Sequence, residues 1–343
     1  MNVHVWNMSI RKTSERRLFM ASLKDIADRV GISKAAVSRI LNGKGSFSKD
    51  TVYKVEKAAR ELNYQLPTSS EDPADNSNTI GLILPLNHIP YFGVLTAQIE
   101  MAAFDYGCSL VLCSSAYEAM SETEFAAWLR KNRISGLLIG LFLTDPQKII
   151  DLGIPAVTIG LEMSPDIPSV CADNLSVGKI AARHLLSRKC KNLLYLSNNR
   201  SGLKNDLRYK GFYEELEKHH QIAWPAILSD EATDSREITE MITNMLMEHP
   251  EADGIFTESM TLALECIRIL QDLGYQVPEE IKVVGCGSPY FSVYSVPRLT
   301  LVQENTNLIA KKAVSMIVDL MEGRPLTQKH LSIPVSLSIQ QTS

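Results

Sequence analysis

Residues 34–41 read KAAVSRIL, and the positions left outside the apolar set Ala36, Val37, Ile40 and Leu41 are Lys34, Ala35, Ser38 and Arg39. Basic, small and hydroxylic side chains at helical spacing suit a partner covered in anionic oxygens and polar base edges. An arginine forks onto guanine O6 and N7. Serine hydroxyls and a helix N-terminus accommodate phosphate oxygens, and a small residue lets the backbone approach a groove floor. Signs of catalysis are missing from the sequence: there is no GxGxxG, no phosphate loop, no GxSxG elbow and no metal-ligand spacing. The seven histidines are dispersed, and His219-His220 reads as a solvated pair near a helix end. Six cysteines (108, 113, 171, 190, 266, 286) form no CxxC pair and read as buried thiols in a reducing cytoplasm. The expectation is a protein that is not an enzyme and needs no cofactor or metal.

That polar face has to be held by its neighbours. Ser22 is placed to cap a helix bearing Ile26, Ala27 and Val30. Gly31 ends it, since a residue without Cβ enters the left-handed turn at no steric cost. Ser33 caps the second helix, and Ser48 starts a third with Val52, Val55, Ala59 and Leu62 at helical spacing. Two helices across a tight turn are a helix-turn-helix, whose second helix enters the DNA major groove. A plain three-helix bundle with a solvated face would share the apolar spacing but has no need of the basic, small-residue face. Charge agrees. Residues 20–66 hold nine Lys/Arg against five Asp/Glu, residues 1–19 four against one, and the remaining 277 residues carry −11 within a net charge of −4. A basic head on an acidic body keeps duplex contact with the head.

The 343 residues, 45% hydrophobic and 22% charged, are enough for two or three domains. No apolar run is long enough to span a membrane, and residues 1–19 lack a secretory leader, so a cytoplasmic, nucleoid-associated protein is expected. Met20 looks like a natural start, which makes 1–19 a disordered arm or a misassigned beginning. Residues 66–79 (LPTSSEDPADNSNT) have linker composition. Beyond them, apolar runs such as IGLILPL (80–86), SLVLCSS (109–115), GLLIGLFL (136–143) and PAVTIG (155–160) alternate with helical segments. The alternation restarts near 174 and ends in a strand at 331–339 (LSIPVSLSI). Two successive α/β units predict a bilobed body of doubly wound parallel sheets. Its ligand cleft lies outside the carboxyl ends of the strands.

The run LKDIADRVGISKAAVSRILNGKG, with ARELNY closing the third helix, resembles the DNA-binding headpiece of the lactose-repressor (LacI/GalR) family of bacterial transcription regulators. The body resembles that family's periplasmic-binding-protein-like effector domain through IGLILP, SVCADN (169–174), RYKGF (208–212), LGYQVPEEIKVVG (273–285) and VPRLTLVQ (296–303). The resemblance implies a helix-turn-helix head at 20–66, a linker at 67–79, one lobe from 80–172 plus 303–325, and a second from 173–302 plus 326–341. It implies a homodimeric repressor on palindromic double-stranded operator DNA, controlled by a small effector and with no membrane partner. Carried over by motif position, Lys34 and Ala35 read base edges and Arg39 makes the strong base contact. Ser33, Ser38 and Asn42 meet phosphates, and Thr51 lies near the third-helix contact.

The linker departs from the family pattern. TSSEDPADN carries Glu71, Asp72 and Asp75 and has no arginine or leucine, and Pro73 interrupts a helix. Acidic residues are unfavourable against the negative minor groove. Little operator bending is therefore expected, with Leu66 as the one nearby apolar wedge. In the effector pocket the resemblance places Arg208, the pair Tyr91 and Phe92 as a stacking face, and Ser259. Gly160, Ser259-Met260 and Gly285-Cys286-Gly287-Ser288 stand where the family presents carboxylates or an amide. A pocket without its acids that keeps its arginine favours an anionic effector, a sugar phosphate or organic acid. The competing reading is a solute-binding protein for a sugar or sugar phosphate, against which the basic head argues.

Overall fold

The computed structural model describes residues 23–41, 47–62, 78–84, 90–113, 122–140, 150–151, 153–197, 203–227, 235–290 and 292–343. Residues 1–19, Ser22, Asn42, Leu66, residues 67–77 of the linker and, apart from 150–151, the short helix expected near 146–152 lie outside them. The chain divides into two compact units, Met1–Asn76 and Ser77–Ser343.

In the first unit α1 (Leu23–Val30), α2 (Lys34–Leu41) and α3 (Lys49–Glu61) close around Ile26, Ala27, Val37, Ile40, Val55, Ala58 and Ala59. Gly31 sits at φ +76°, and its N–H donates to the Ala27 carbonyl at 2.8 Å, ending α1. Ser33 accepts from the Ala36 N–H at 3.2 Å and Ser48 from the Thr51 N–H at 3.2 Å, so each hydroxyl satisfies one orphan donor of the helix it precedes.

The second unit holds two lobes. The first contains β1 (Thr79–Ile83), α4 (Pro90–Asp105), β2 (Ser109–Cys113), α5 (Glu122–Lys131), β3 (Gly136–Gly140), β4 (Ala156–Ile159) and β5 (Ser169–Ala172). The second runs through α6 (Asn174–Ser187), β6 (Leu193–Ser197), α7 (Leu207–Glu217), β7 (Ala223–Ile227), α8 (Ser235–Glu248), β8 (Gly254–Thr257), α9 (Met260–Asp272), β9 (Lys282–Gly287) and β10 (Thr300–Gln303). The chain ends with α10 (Thr306–Met321), β11 (His330–Ile333) and β12 (Ser336–Ser338). The sheets have orders β11-β5-β4-β3-β1-β2 and β12-β10-β9-β8-β6-β7. Central strands such as β3 and β6 are buried along their whole length, which is why they read as unbroken apolar runs.

Two expectations are corrected at the C-terminal end. The predicted strand at 331–339 is two strands in different sheets: β11 pairs parallel with β5, and β12 pairs antiparallel with β10. Pro334, between them, has no N–H to donate to a continuing ladder. The last crossing between lobes therefore lies at 334–335, not near 325, and residues 326–333 do not belong to the second lobe. Residues 306–321 do pack in the first lobe, where Ile309, Ala313, Val314 and Ile317 join Phe92, Leu95 and Ile99 of α4.

Within the second lobe α6 and α7 meet backbone to backbone. A Cβ at Gly178 would lie 2.0 Å from the Arg208 carbonyl oxygen, and one at Gly211 would lie 2.0 Å from that of Leu175. The outer flank of this contact is held by the Glu215 carboxylate, which accepts from Arg183 Nε at 2.7 Å and Lys218 Nζ at 2.9 Å. These partners lower its pKa to about 2. The close approach gives Gly178→Ala a distinctive sign. In an unobstructed helix the change gains up to about 1 kcal/mol of propensity, but here overpacking costs roughly 1–3 kcal/mol or more. Urea unfolding of Gly178→Ala is expected to show a net loss of stability, and a gain would contradict the packing described.

Candidate functional site

On the head, α2 buries Val37 and Ile40 and turns Lys34, Ala35 and Arg39 outward. Positions 35 and 39 are one helical turn apart, so Arg39 stands over the small side chain of Ala35. Ser33 is exposed while it caps the helix, and Ser38 is half-buried. The Thr51 hydroxyl is 2.7 Å from Ser48 Oγ, so its first role is in the α3 cap. The structure thus brings Ser33, Lys34, Ala35, Ser38 and Arg39 together on one short helix, with Thr51 at the start of the next and Asn42 outside the described residues.

In the second unit the polar groups converge on Arg208, in the first turn of α7. Its backbone is fixed by Asp206, whose Oδ1 accepts from the N–H groups of Arg208 (2.9 Å) and Tyr209 (3.1 Å). The other oxygen of Asp206, Oδ2, accepts from Tyr195 Oη (2.6 Å) and Ser197 Oγ (3.3 Å). The guanidinium donates from Nε to Asn174 Oδ1 (2.8 Å), from Nη1 to the Glu258 carbonyl, and from Nη2 to Glu304 Oε1 (2.5 Å). The Arg208 side chain is 23% exposed and that of Glu304 is 4% exposed. Burial opposes the arginine's charge, but the Glu304 and Glu258 carboxylates beside it outweigh that cost and push its pKa above the ordinary value. The Cys286 thiol, 3.8 Å from Glu304 Oε1, is pushed up by burial. The single proton of Ser197 Oγ is shared with Glu258 Oε2, the nearer of its two carboxylates at 2.7 Å. Asn174, Glu258 and Glu304 all follow the carboxyl ends of strands, the place where a doubly wound sheet opens its crevice. Ser288, next after β9, is fully buried, and its hydroxyl has no hydrogen-bond partner among the described residues.

The first lobe reaches this cluster through Tyr91. Its hydroxyl lies within electrostatic reach of the Glu304 carboxylate, and burial first, then that carboxylate, pushes its pKa up. Phe92, expected beside it as a stacking face, is 3% exposed and belongs to the core with Leu95 and Ile99. It packs edge-on against Tyr91 at 5.4 Å and supports that ring instead of facing a ligand. Ser259, expected in the pocket, is the N-cap of α9 and accepts from the Leu262 N–H at 3.3 Å.

The premise for an anionic effector does not hold. Carboxylates are missing at Gly160, Ser259-Met260 and Gly285-Cys286-Gly287-Ser288, yet Glu258 and Glu304 bring two to the cluster from other positions, and Arg208 is already ion-paired. Sequence reading missed both, although each directly abuts a segment it singled out: Glu258 precedes Ser259, and Glu304 follows VPRLTLVQ. Among the described residues no cluster of three His, Cys, Asp or Glu could hold a metal ion, and no helix is long and apolar enough to cross a membrane.

Comparison with known proteins places these two sites in a common frame. Residues 22–66 match the family described as bacterial regulatory proteins, lacI family, and residues 182–343 match a periplasmic binding protein-like domain. A ribose operon repressor of Halalkalibacterium halodurans is 28% identical over 327 residues, covering 94% of this chain and 97% of its own. A sucrose operon repressor of Streptococcus mutans is 26% identical over 328 residues, covering 93% and 98%. The lac repressor dimer bound to operator and the anti-inducer ONPF has the same fold, with a TM-score of 0.69 at 24% identity over 94% of this chain and 98% of that one.

Asp206 is the positioning residue of the Arg208 cluster. Asp206→Ala removes a helix cap, worth about 1 kcal/mol, and strands the buried Tyr195 hydroxyl, at roughly 1–3 kcal/mol. A loss of about 2–4 kcal/mol in chemical unfolding is expected. Asp206→Asn keeps an oxygen for the cap and is expected to lose less. Equal losses for the two variants would remove the capping role.

Proposed function

We propose, since the chain belongs to the lacI family of bacterial regulatory proteins and joins that family's helix-turn-helix domain to a periplasmic-binding-protein-like domain, that it is a dimeric repressor of a carbohydrate-related operon. In this reading its affinity for a palindromic operator is set by a neutral sugar held between the two lobes. The observation that carries the DNA-binding part is the outward face of α2, where Lys34, Ala35 and Arg39 are exposed above a fully packed helix trio. Arg39 carries base recognition, Lys34 and Ala35 line the groove, and Ser33, Ser38, Asn42 and Thr51 meet the phosphate backbone. A solute-binding protein would have no use for this face. Binding to chromosomal DNA places the protein in the cytoplasm.

The sugar reading has two supports. The relatives named above are ribose and sucrose operon repressors. The cleft also offers both hydrogen-bonding senses in a charge-compensated setting. Arg208 and Tyr91 bring N–H and O–H groups, and Asn174, Glu258 and Glu304 bring acceptors, whereas an anion would meet two carboxylates beside the single guanidinium.

Dimerisation is supported by apolar side chains left exposed at the same end of each sheet. On α4, which packs on the edge strand β2, Met101 is 70% and Phe104 80% exposed, and Leu112 lies on β2 itself. In the second lobe Ile222 and Ile227 are exposed at the edge strand β7. Exposed apolar surface along two sheet edges is what a second copy would cover.

Selection from random duplexes with the purified protein is expected to enrich one palindrome, bound with a steep salt dependence. Arg39→Ala is expected to weaken that complex by roughly 1–3 kcal/mol, about tenfold to a hundredfold, and to relax the preference at one base pair of each half-site. No enriched sequence, or unchanged binding by Arg39→Ala, would refute the assignment. Sedimentation of Phe104→Glu is expected to shift from dimer toward monomer; a monomeric wild type would remove the dimer from the proposal.

A further inference from the structure

The most unusual group in the cleft is a carboxylate. Glu304 follows β10, at the crossing back into the first lobe, with its side chain 4% exposed. It is held by Arg208 Nη2 at 2.5 Å and approached by the Cys286 thiol at 3.8 Å, and Tyr91 of the other lobe lies within its electrostatic reach. Arg208 itself has five N–H groups in a rigid fork. Three of them are taken up by Asn174, the Glu258 carbonyl and Glu304.

An incoming phosphate or carboxylate would find only two N–H groups of Arg208 left, with Glu304 already holding the neighbouring one. It would also have to sit beside that carboxylate in a poorly solvated place, where like charges repel strongly. An uncharged hydroxyl meets no such conflict. It can donate to Glu304 and accept from Arg208 without disturbing the pair, as bidentate sites for polar ligands require.

We infer that Glu304 is the specificity-determining residue of the Arg208 subsite: a resident counter-ion that admits uncharged hydroxylic ligands and excludes phosphorylated or carboxylated ones. This rests on the reading that the cleft takes a sugar. The arginine alone would make the subsite an anion receptor, and the glutamate cancels that preference. Tyr91 and Cys286 keep the carboxylate turned toward Arg208, so exclusion depends on the two lobes meeting as they do here.

Calorimetric titration of the full-length protein tests this. The uncharged probes are D-ribose, sucrose and a panel of common aldoses and ketoses, and the anionic probes are D-ribose 5-phosphate and inorganic phosphate. Wild type is expected to bind neither anion. The isosteric Glu304→Gln variant is expected to bind ribose 5-phosphate at least tenfold more tightly than wild type, and the double variant with Arg208→Gln to lose that gain. A merely structural role for Glu304 would weaken every ligand and create no anion site. Anion affinity unchanged by Glu304→Gln overturns the inference. So does wild-type binding of ribose 5-phosphate that Arg208→Gln abolishes, a result that needs no folded variant at position 304. The two readings fail separately. A sugar bound by wild type with no anion gain in Glu304→Gln keeps the sugar cleft and removes the role of Glu304. An anion gain with no sugar bound by wild type keeps the role of Glu304 and removes the sugar.

Discussion

A guanidinium taken largely out of water is costly unless each of its hydrogen-bonding directions is met and its charge is balanced. In this protein that single demand organises the second unit. The groups that meet it come from segments far apart in the chain: Asn174 opening α6, Glu258 beyond β8, Glu304 beyond β10, and through Glu304 the Tyr91 hydroxyl of the first lobe. None of these segments neighbours another in sequence, so the Arg208–Glu304 ion pair forms only when the strands of the second sheet are in place. Arg208 thus ties together segments of the second lobe and, through Glu304, stands next to Tyr91 of the first. A ligand in the proposed cleft would meet these contacts first.

The tie needs an anchor, and the α6–α7 contact supplies it. Gly178 and Gly211 let two helix backbones approach so closely that a methyl group at either would overlap a carbonyl oxygen. Asp206 then fixes the first turn of α7 through two backbone N–H groups. With the helix axis set by packing and its first turn set by the cap, the Arg208 side chain starts from a rigid base. A buried charge on a mobile base would lose its partners with each excursion. Tight packing and capping at this end of α7 follow from where the arginine sits.

Much of this was legible in the sequence because it rests on local physics. Ser33 before an apolar helix, Gly31 at a left-handed turn and fully apolar strands such as GLLIG each carry their own signal, and the helix-turn-helix and the alternating α/β plan follow from them. What was not legible depends on partners distant in the chain. LSIPVSLSI reads as one strand; its division between two sheets is decided by which edges are open, and Pro334 marks only the break. Edge strand β7 (AWPAI) is only partly buried and carries Pro225, so its pattern in the sequence is weak. Phe92 and Tyr91 are adjacent aromatics with the same sequence signature, yet one fills the core and the other faces Glu304. The acids of the cleft were not legible for the same reason: the family resemblance points to Gly160, Ser259 and residues 285–288, and carboxylates reach the same space from other positions.

Control of DNA binding by a cleft ligand requires a route from the second unit to the head, and the acidic, proline-bearing linker composition argues against a stiff connection through a single chain. The proposed dimer offers another route. Exposed apolar groups lie on the β2 edge of one lobe and the β7 edge of the other, so an interface using both would be divided between two bodies whose relative position the Arg208–Glu304–Tyr91 contact influences. A ligand that alters this contact would change how the two halves of the interface fit a partner, and through the partner the spacing of two heads on a palindrome. The differential free energy needed is modest, since a coupling of 1–3 kcal/mol already changes affinity 5–150-fold. In that arrangement the linker need only keep each head near its body, and a sequence poor in helix formers and rich in acids suffices for that task.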